Sequence, residues 1–162
     1  MTRVLAIDPG IGHTGVVLFD EYGISCVKTI SFRKPVNGDC RAVAQRCRDI
    51  RDALAPLLAE WEHDVTVMEG WTFMGKRSNA SSIWETPWVS GYLQCLIEEA
   101  DGRNITLQTS PESLRGTGDK AERKIWIKRI PGWNKLTNEH TISAAIHGWR
   151  YIEESSRPRL FD

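Results

Sequence analysis

Two acidic residues stand where acids are costly. Asp8 closes the apolar run RVLAID and Glu69 closes the run DVTVMEG. A carboxylate at the end of a buried strand costs several kcal/mol unless a hydrogen bond or a cation compensates it. One such acid is an ordinary turn cap. Two acids ending two core strands point to a shared site at the strands' carboxyl ends, where a hard cation would hold both. The segment TNEHTISAAIHGW supplies a third group. On a helix, Ile142, Ala145, Ile146 and Trp149 share a core-facing stripe, while His140, Ser143 and His147, spaced i, i+3 and i+7, share the adjacent face. A lone helical histidine is more often a hydrogen-bonded or surface residue than a ligand. His140 gains weight from its place near a helix start with a polar partner one turn on.

A competing motif lies beside Asp8. Gly10 to Gly15, GIGHTG, matches the G-x-G-x-x-G pattern of dinucleotide binding. That function requires the turn to pass from a strand into a helix, whose N-terminus binds the pyrophosphate. Here the turn passes into TGVVLFD, a strand, and the phosphate site has no floor. The glycines read as a tight turn that leaves Asp8 exposed at the strand end.

These residues need a frame. The runs at 3–8, 14–20 and 24–32, separated by short Gly-containing turns, predict an antiparallel meander. Apolar residues at helical spacing predict an amphipathic helix over 39–62, with Pro56 as a kink or break. The run 64–70 predicts a buried strand, and 83–97 a helix with a broad apolar face, capped by Ser81 or Ser82. NITLQT reads as a fifth strand, PESLRG as a helical turn and DKAERKIWIKRI as a basic helix. The last helix is capped by Thr137 or Asn138. The order predicts an α/β layer with a mixed sheet, one domain over 1–155 and a tail at 156–162.

Composition narrows the class. The 162 residues suffice for a core without disulfides or structural metal. The four cysteines show no C-x-x-C spacing, so a reducing cytoplasm is expected. No stretch reads as a signal peptide or reaches the roughly 18 apolar residues of a membrane span. With 21 basic and 21 acidic side chains, a general electrostatic coat for nucleic acid is excluded, but local patches are not. Between Arg103 and Lys135 eight basic residues face three acids, which suits either a phosphate backbone or a solvated helix face.

Taken in order, IDPGIGHTG, VTVMEGW, GTGDKAERK and NEHTISAAIHG resemble the RuvC family of Holliday-junction resolvases in the RNase H-like superfamily, over about residues 3–152. The resemblance implies a mixed five-stranded sheet in the order 3-2-1-4-5 with strand 2 antiparallel, flanked by helices. It also implies a homodimer and divalent-metal hydrolysis of DNA phosphodiesters. Asp8 matches the family's first-strand aspartate, Glu69 its fourth-strand glutamate and His140 a last-helix position held by Asp or His. Ser143 matches a position usually held by Asp. This departure removes one anionic ligand, leaving Asp8, Glu69 and His140 as metal ligands with Ser143 beside them in the catalytic set.

One or two Mg²⁺ ions, with Mn²⁺ as a substitute, suit such a site. Two ions about 4 Å apart can activate water, stabilise the transition state and protect the leaving oxygen. His140 can bind metal, orient water or carry a proton, its ordinary pKa of about 6.5 permitting the last. Trp71 and Phe73, beside Lys76 and Arg77, can stack on an unpaired base of branched DNA while the cations hold its backbone, or pack on the core edge. Arg115, Lys120, Arg123, Lys124 and Lys128 are the phosphate-contact candidates. Trp84, Trp88 and Tyr92 can form the dimer seam or lie in ordinary core. The expected activity is symmetric nicking of four-way junctions in a bacterial cell or phage-infected host. A broader branched-DNA, flap or RNA-processing nuclease and a catalytically weak junction-binding module are the alternatives.

Overall fold

The computed structural model describes residues 2–32, 39–70, 82–101, 105–109 and 127–156. Within them, β1 (Val4–Asp8), β2 (His13–Asp20) and β3 (Gly23–Ser31) form the expected antiparallel meander. Strand β4 (Val65–Gly70) lies parallel to the other side of β1, and β5 (Thr106–Thr109) lies parallel to β4. The sheet order is β3-β2-β1-β4-β5.

Period-two alternation divides the apolar residues between two faces. Leu5, Ile7, Val16, Leu18 and Met68 point to the face covered by α1 (Cys40–Glu60) and α2 (Ser82–Asp101). Val4, Ala6, Val17, Phe19 and Val67 point to the other face, against α3 (Glu139–Ser155). Every residue of β1 is buried. A central strand covered on both faces requires this continuous apolar run, and Asp8 is its last residue.

Two expectations need correction. Helix α1 runs through Pro56 without ending there. Its flanks are secured instead by the Asp39 side chain, which accepts from the Arg41 amide, and by packing of Val43, Cys47, Ile50 and Leu54. Among the described glycines only Gly23 and Gly132 have positive φ, so the expected tight turn of GIGHTG forms without a left-handed glycine. On α3 the buried stripe is Thr141, Ala144, Ala145 and Gly148 together with Ile146 and His147, while Ile142 and Trp149 are half-buried. Small residues on that stripe bring the helix axis closer to the sheet than Ile142 or Trp149 would permit.

One core residue is out of place by composition. Glu85 on α2 is 1% exposed, and neither carboxylate oxygen has a hydrogen-bond partner among the described residues. Across on α1, Arg46 is buried with Nε and Nη1 likewise unpartnered, its guanidinium 4.6 Å above the Phe32 ring. Buried acceptors without donors are destabilising. Glu85→Leu is expected to raise unfolding free energy by about 1–3 kcal/mol in urea titrations. An unchanged midpoint would mean that Glu85 is already compensated.

Candidate active site

Strand pairing brings the two acids together. The parallel register of β1 and β4 sets Ile7 opposite Met68, so the next residues, Asp8 and Glu69, emerge side by side on the face toward α3. Helix α3 is fixed above them by its cap. The Asn138 side chain accepts from the His140 and Thr141 amides, and the Thr141 hydroxyl accepts from the Asn138 amide. This reciprocal cap sets the first turn, and with it His140. Asn138 Nδ2 also donates to Thr29 Oγ1 at 2.5 Å, tying the cap to β3.

Gly15 makes the approach possible. It lies opposite Asp8 across the β1–β2 ladder, and a Cβ there would collide with the His140 carbonyl and lie 2.7 Å from the Thr141 amide nitrogen. The glycine motif therefore serves close approach of backbone to backbone. His140 Nδ1 consequently donates to Asp8 Oδ2 at 2.9 Å. One turn on, Ser143 Oγ donates to Glu69 Oε2 at 2.8 Å, and His147 Nε2 lies 3.6 Å from the same oxygen. The predicted His140, Ser143 and His147 face is the one that meets the acids.

Burial sets the electrostatics. The Asp8 side chain is 12% exposed, which corrects the expectation of an exposed strand end. Removal from water raises its pKa from 3.8 to about 6; the His140 hydrogen bond opposes this rise and the neighbouring Glu69 carboxyl adds to it. His140 is pushed above its ordinary 6.5 by the hydrogen bond to Asp8, against the opposing effect of its own partial burial. The result is a desolvated Asp8 beside a Glu69 whose side chain is 24% exposed. Among the described residues, His140 is the only basic side chain bonded to Asp8.

The sequence missed two neighbours. His13, at the exposed start of β2, pairs with Ser31 of β3, and their side chains meet at 3.0 Å between Nδ1 and Oγ. The His13 and His140 rings lie 5.5 Å apart. His13, Gly15, Val17 and Phe19 alternate onto the α3 face, a signal visible once the β2 register is known. His63 is different: it sits at the opposite end of the sheet, buried, bonded to the Trp61 carbonyl and to Thr66 Oγ1.

Other candidates remain apart from this cluster. Trp71, Phe73, Lys76, Arg77, Arg115, Lys120, Arg123 and Lys124 lie outside the described residues, as do PESLRG and most of the predicted basic helix. Lys128 is exposed in a turn, whereas Lys135 donates to the Ile24 carbonyl at 2.7 Å and is thereby structural. Trp88 is 50% exposed on α2, Tyr92 is half-buried against the core, and the Trp84 side chain lies outside the described set. Among the described residues, no group of three or more His, Cys, Asp or Glu stands in a metal-ligating arrangement, and no helix is long and apolar enough to cross a membrane.

No protein-family profile matches the chain. The crossover junction endodeoxyribonuclease RuvC of Caldicellulosiruptor saccharolyticus is 23% identical over 146 residues, covering 89% of this chain and 87% of that protein. Thermus thermophilus RuvC in complex with a Holliday-junction substrate superposes with a TM-score of 0.73 at 16% identity, over 96% of this chain and 95% of that one. Another Thermus thermophilus RuvC structure gives 0.63 at 18% identity, over 95% and 97% of the two chains. The yeast mitochondrial Holliday junction resolvase gives 0.54 at 14%, over 90% and 75%. In sequence along most of its length, and in its RNase H-like fold, the chain is RuvC-like, a distant relative of the Holliday-junction resolvases.

Proposed function

We propose that the chain is a divalent-metal-dependent endonuclease that cuts branched DNA, four-way junctions above all. The observation that carries this reading is the convergence of Asp8 and Glu69 beneath His140 and Ser143 at the carboxyl ends of two core strands. The donor set fits a hard cation. Two carboxyl groups share one spot, and burial together with Glu69 holds Asp8 at about 6, a deficit of positive charge that Mg²⁺ or Mn²⁺ would relieve. Asp8 and Glu69 would hold the ion, with His140 as the third ligand in reach. When bound, the cation supplies Lewis acidity toward a phosphodiester and the attacking water.

The chain's own residues do the rest. Asp8 orients the His140 ring through Nδ1, which leaves Nε2 to position water or carry its proton. Ser143 and His147 hold the Glu69 carboxylate from one side, fixing which oxygen faces the substrate. Water adds to phosphorus as the P–O bond to the leaving sugar oxygen breaks, giving a phosphate end and a hydroxyl end. Paired nicking requires two such sites, and a homodimer that closes on α2 around the half-exposed Trp88 would supply them.

The test is cleavage of an assembled four-way junction with Mg²⁺ or Mn²⁺, alongside flap, linear duplex and RNA substrates. Preferential cutting of the junction supports the reading. Tight junction binding without cutting at any metal concentration would overturn it and favour a binding module, a reading to which the hydroxyl at 143 lends support. Ser143→Asp addresses that position directly. A third carboxylate against Glu69 is expected to tighten Mg²⁺ binding by about tenfold, near 1.4 kcal/mol, while lowering metal-free stability by like-charge repulsion. Calorimetric titration and thermal unfolding in EDTA check both effects.

A further inference from the structure

We propose that His13 is a further substrate-positioning residue, whose Nε2–H contacts a DNA phosphate flanking the one that is cut. This inference rests on the nuclease reading above. His13 stands on the α3 face of β2, one strand over from Asp8 and two residues along from Gly15, which is the position opposite Asp8. Strand geometry makes that about 5 Å across and 7 Å along the sheet. The offset suits a neighbouring phosphate rather than the scissile one.

The local bonding gives the ring a fixed role. His13 Nδ1 and the Ser31 hydroxyl lie 3.0 Å apart, and a hydroxyl that donates to Nδ1 leaves the ring N–H on Nε2, which forms no hydrogen bond among the described residues. His13 is exposed, so this donor is open to a ligand, and its contact with the His140 ring makes it continuous with the acidic pair. Ser31, His13, His140 and Asp8 thus form one connected row over three strands and a helix. A polyanion bound over Asp8 and Glu69 would extend along this row. Its side chain leaves the core, and among the described residues its one hydrogen bond is to the neighbouring Ser31.

The experiment uses the full chain and a four-way junction carrying a single neutral methylphosphonate at each position around the cut in turn. His13→Ala is expected to weaken apparent affinity on the unmodified junction by about tenfold, the low end for a hydrogen bond to a charged group. The single-turnover rate at saturation should change little. His13→Gln, whose amide nitrogen reaches the place of Nε2, should restore most of the affinity. Ser31→Ala should weaken binding less than His13→Ala and have no further effect in the His13→Ala chain. At one methylphosphonate position the wild-type advantage over His13→Ala should vanish, which a merely structural role would not produce. Equal affinity of wild type and His13→Ala, or penalties that multiply at every position, would overturn the inference while leaving the nuclease reading intact. A wild-type chain that neither binds nor cuts branched DNA would overturn both.

Discussion

Replacing Asp8 by asparagine is expected to stabilise the metal-free chain while abolishing cleavage. Desolvation and Glu69 raise the folded-state pKa of Asp8 from 3.8 to about 6, so the native state binds this proton more tightly than the unfolded state. The corresponding stability is fully present below about pH 3.8 and is lost as pH rises through about 6. At neutral pH the displacement of about two pH units corresponds to about 3 kcal/mol of penalty. His140 follows the same sign: its raised pKa contributes stability below 6.5 that fades as pH rises through the folded value. Because asparagine also removes the charge that His140 binds, the net gain should be smaller, about 1–3 kcal/mol. For a chain of this size that is roughly 3–10 °C in Tm.

Thermal unfolding in EDTA from pH 4.5 to 8 should show the two proteins diverging as pH rises. An Asp8→Asn chain no more stable than wild type at pH 8 would mean that the carboxylate is already compensated. Cleavage should fall by about 10³-fold or more, the several kcal/mol that a metal-held transition-state charge supplies. Glu69→Gln should lose activity similarly. Junction binding should persist in both, since phosphate contacts carry most of the affinity. Added Mg²⁺ should raise the Tm of wild type by mass action and leave Asp8→Asn nearly unchanged.

Gly15→Ala is expected to be strongly damaging for the addition of a single methyl group. The new Cβ would meet backbone, the His140 carbonyl and the Thr141 amide, and backbone cannot rotate away as a side chain can. Overpacking of this kind costs about 3 kcal/mol or more. The alternative to unfolding is displacement of the start of α3, which carries His140 away from Asp8. A displacement of about 1 Å in such a position costs about 10²-fold in rate. Denaturant unfolding and single-turnover cleavage together separate the two consequences. Gly12→Ala is the control, because a Cβ there meets nothing within 4 Å, and it should differ from wild type by less than about 0.5 kcal/mol. Wild-type behaviour of Gly15→Ala would refute the close approach of helix and strand.

Much of the frame was legible because it follows from alternation and length. The runs ending in Asp8 and Glu69 are apolar on both faces, as central strands must be, and that places both acids at the ends of covered strands. The His140, Ser143 and His147 face followed from helical spacing alone. The burial of α3 was only half legible: Ala145 and Ile146 are inside, but Ile142 and Trp149 yield to Thr141, Ala144 and Gly148. Hydrophobicity ranks side chains, whereas contact with a sheet at short range selects small ones. Asp8 was read as exposed because a strand end is ordinarily wet; the helix that covers it begins 131 residues later and leaves no mark on the local sequence. His13 was missed for a related reason. Its place beside the acids depends on the β2 register, and the glycine-rich pattern around it drew attention to phosphate cradles.

Helix α3 also sets the order of events in synthesis. Asp8 and His140 are 132 residues apart, and Glu69 and Ser143 are 74 apart. Neither acid can therefore acquire its covering hydrogen bond until residues 140 and 143 have been made, well after both acids. Until then Val4, Ala6, Val17 and Phe19 lack the helix that covers them in the folded chain. The proposed nuclease site thus depends on the last helix to be made: a chain cut before Glu139 would keep both acids but lose His140, Ser143 and the cover over Asp8.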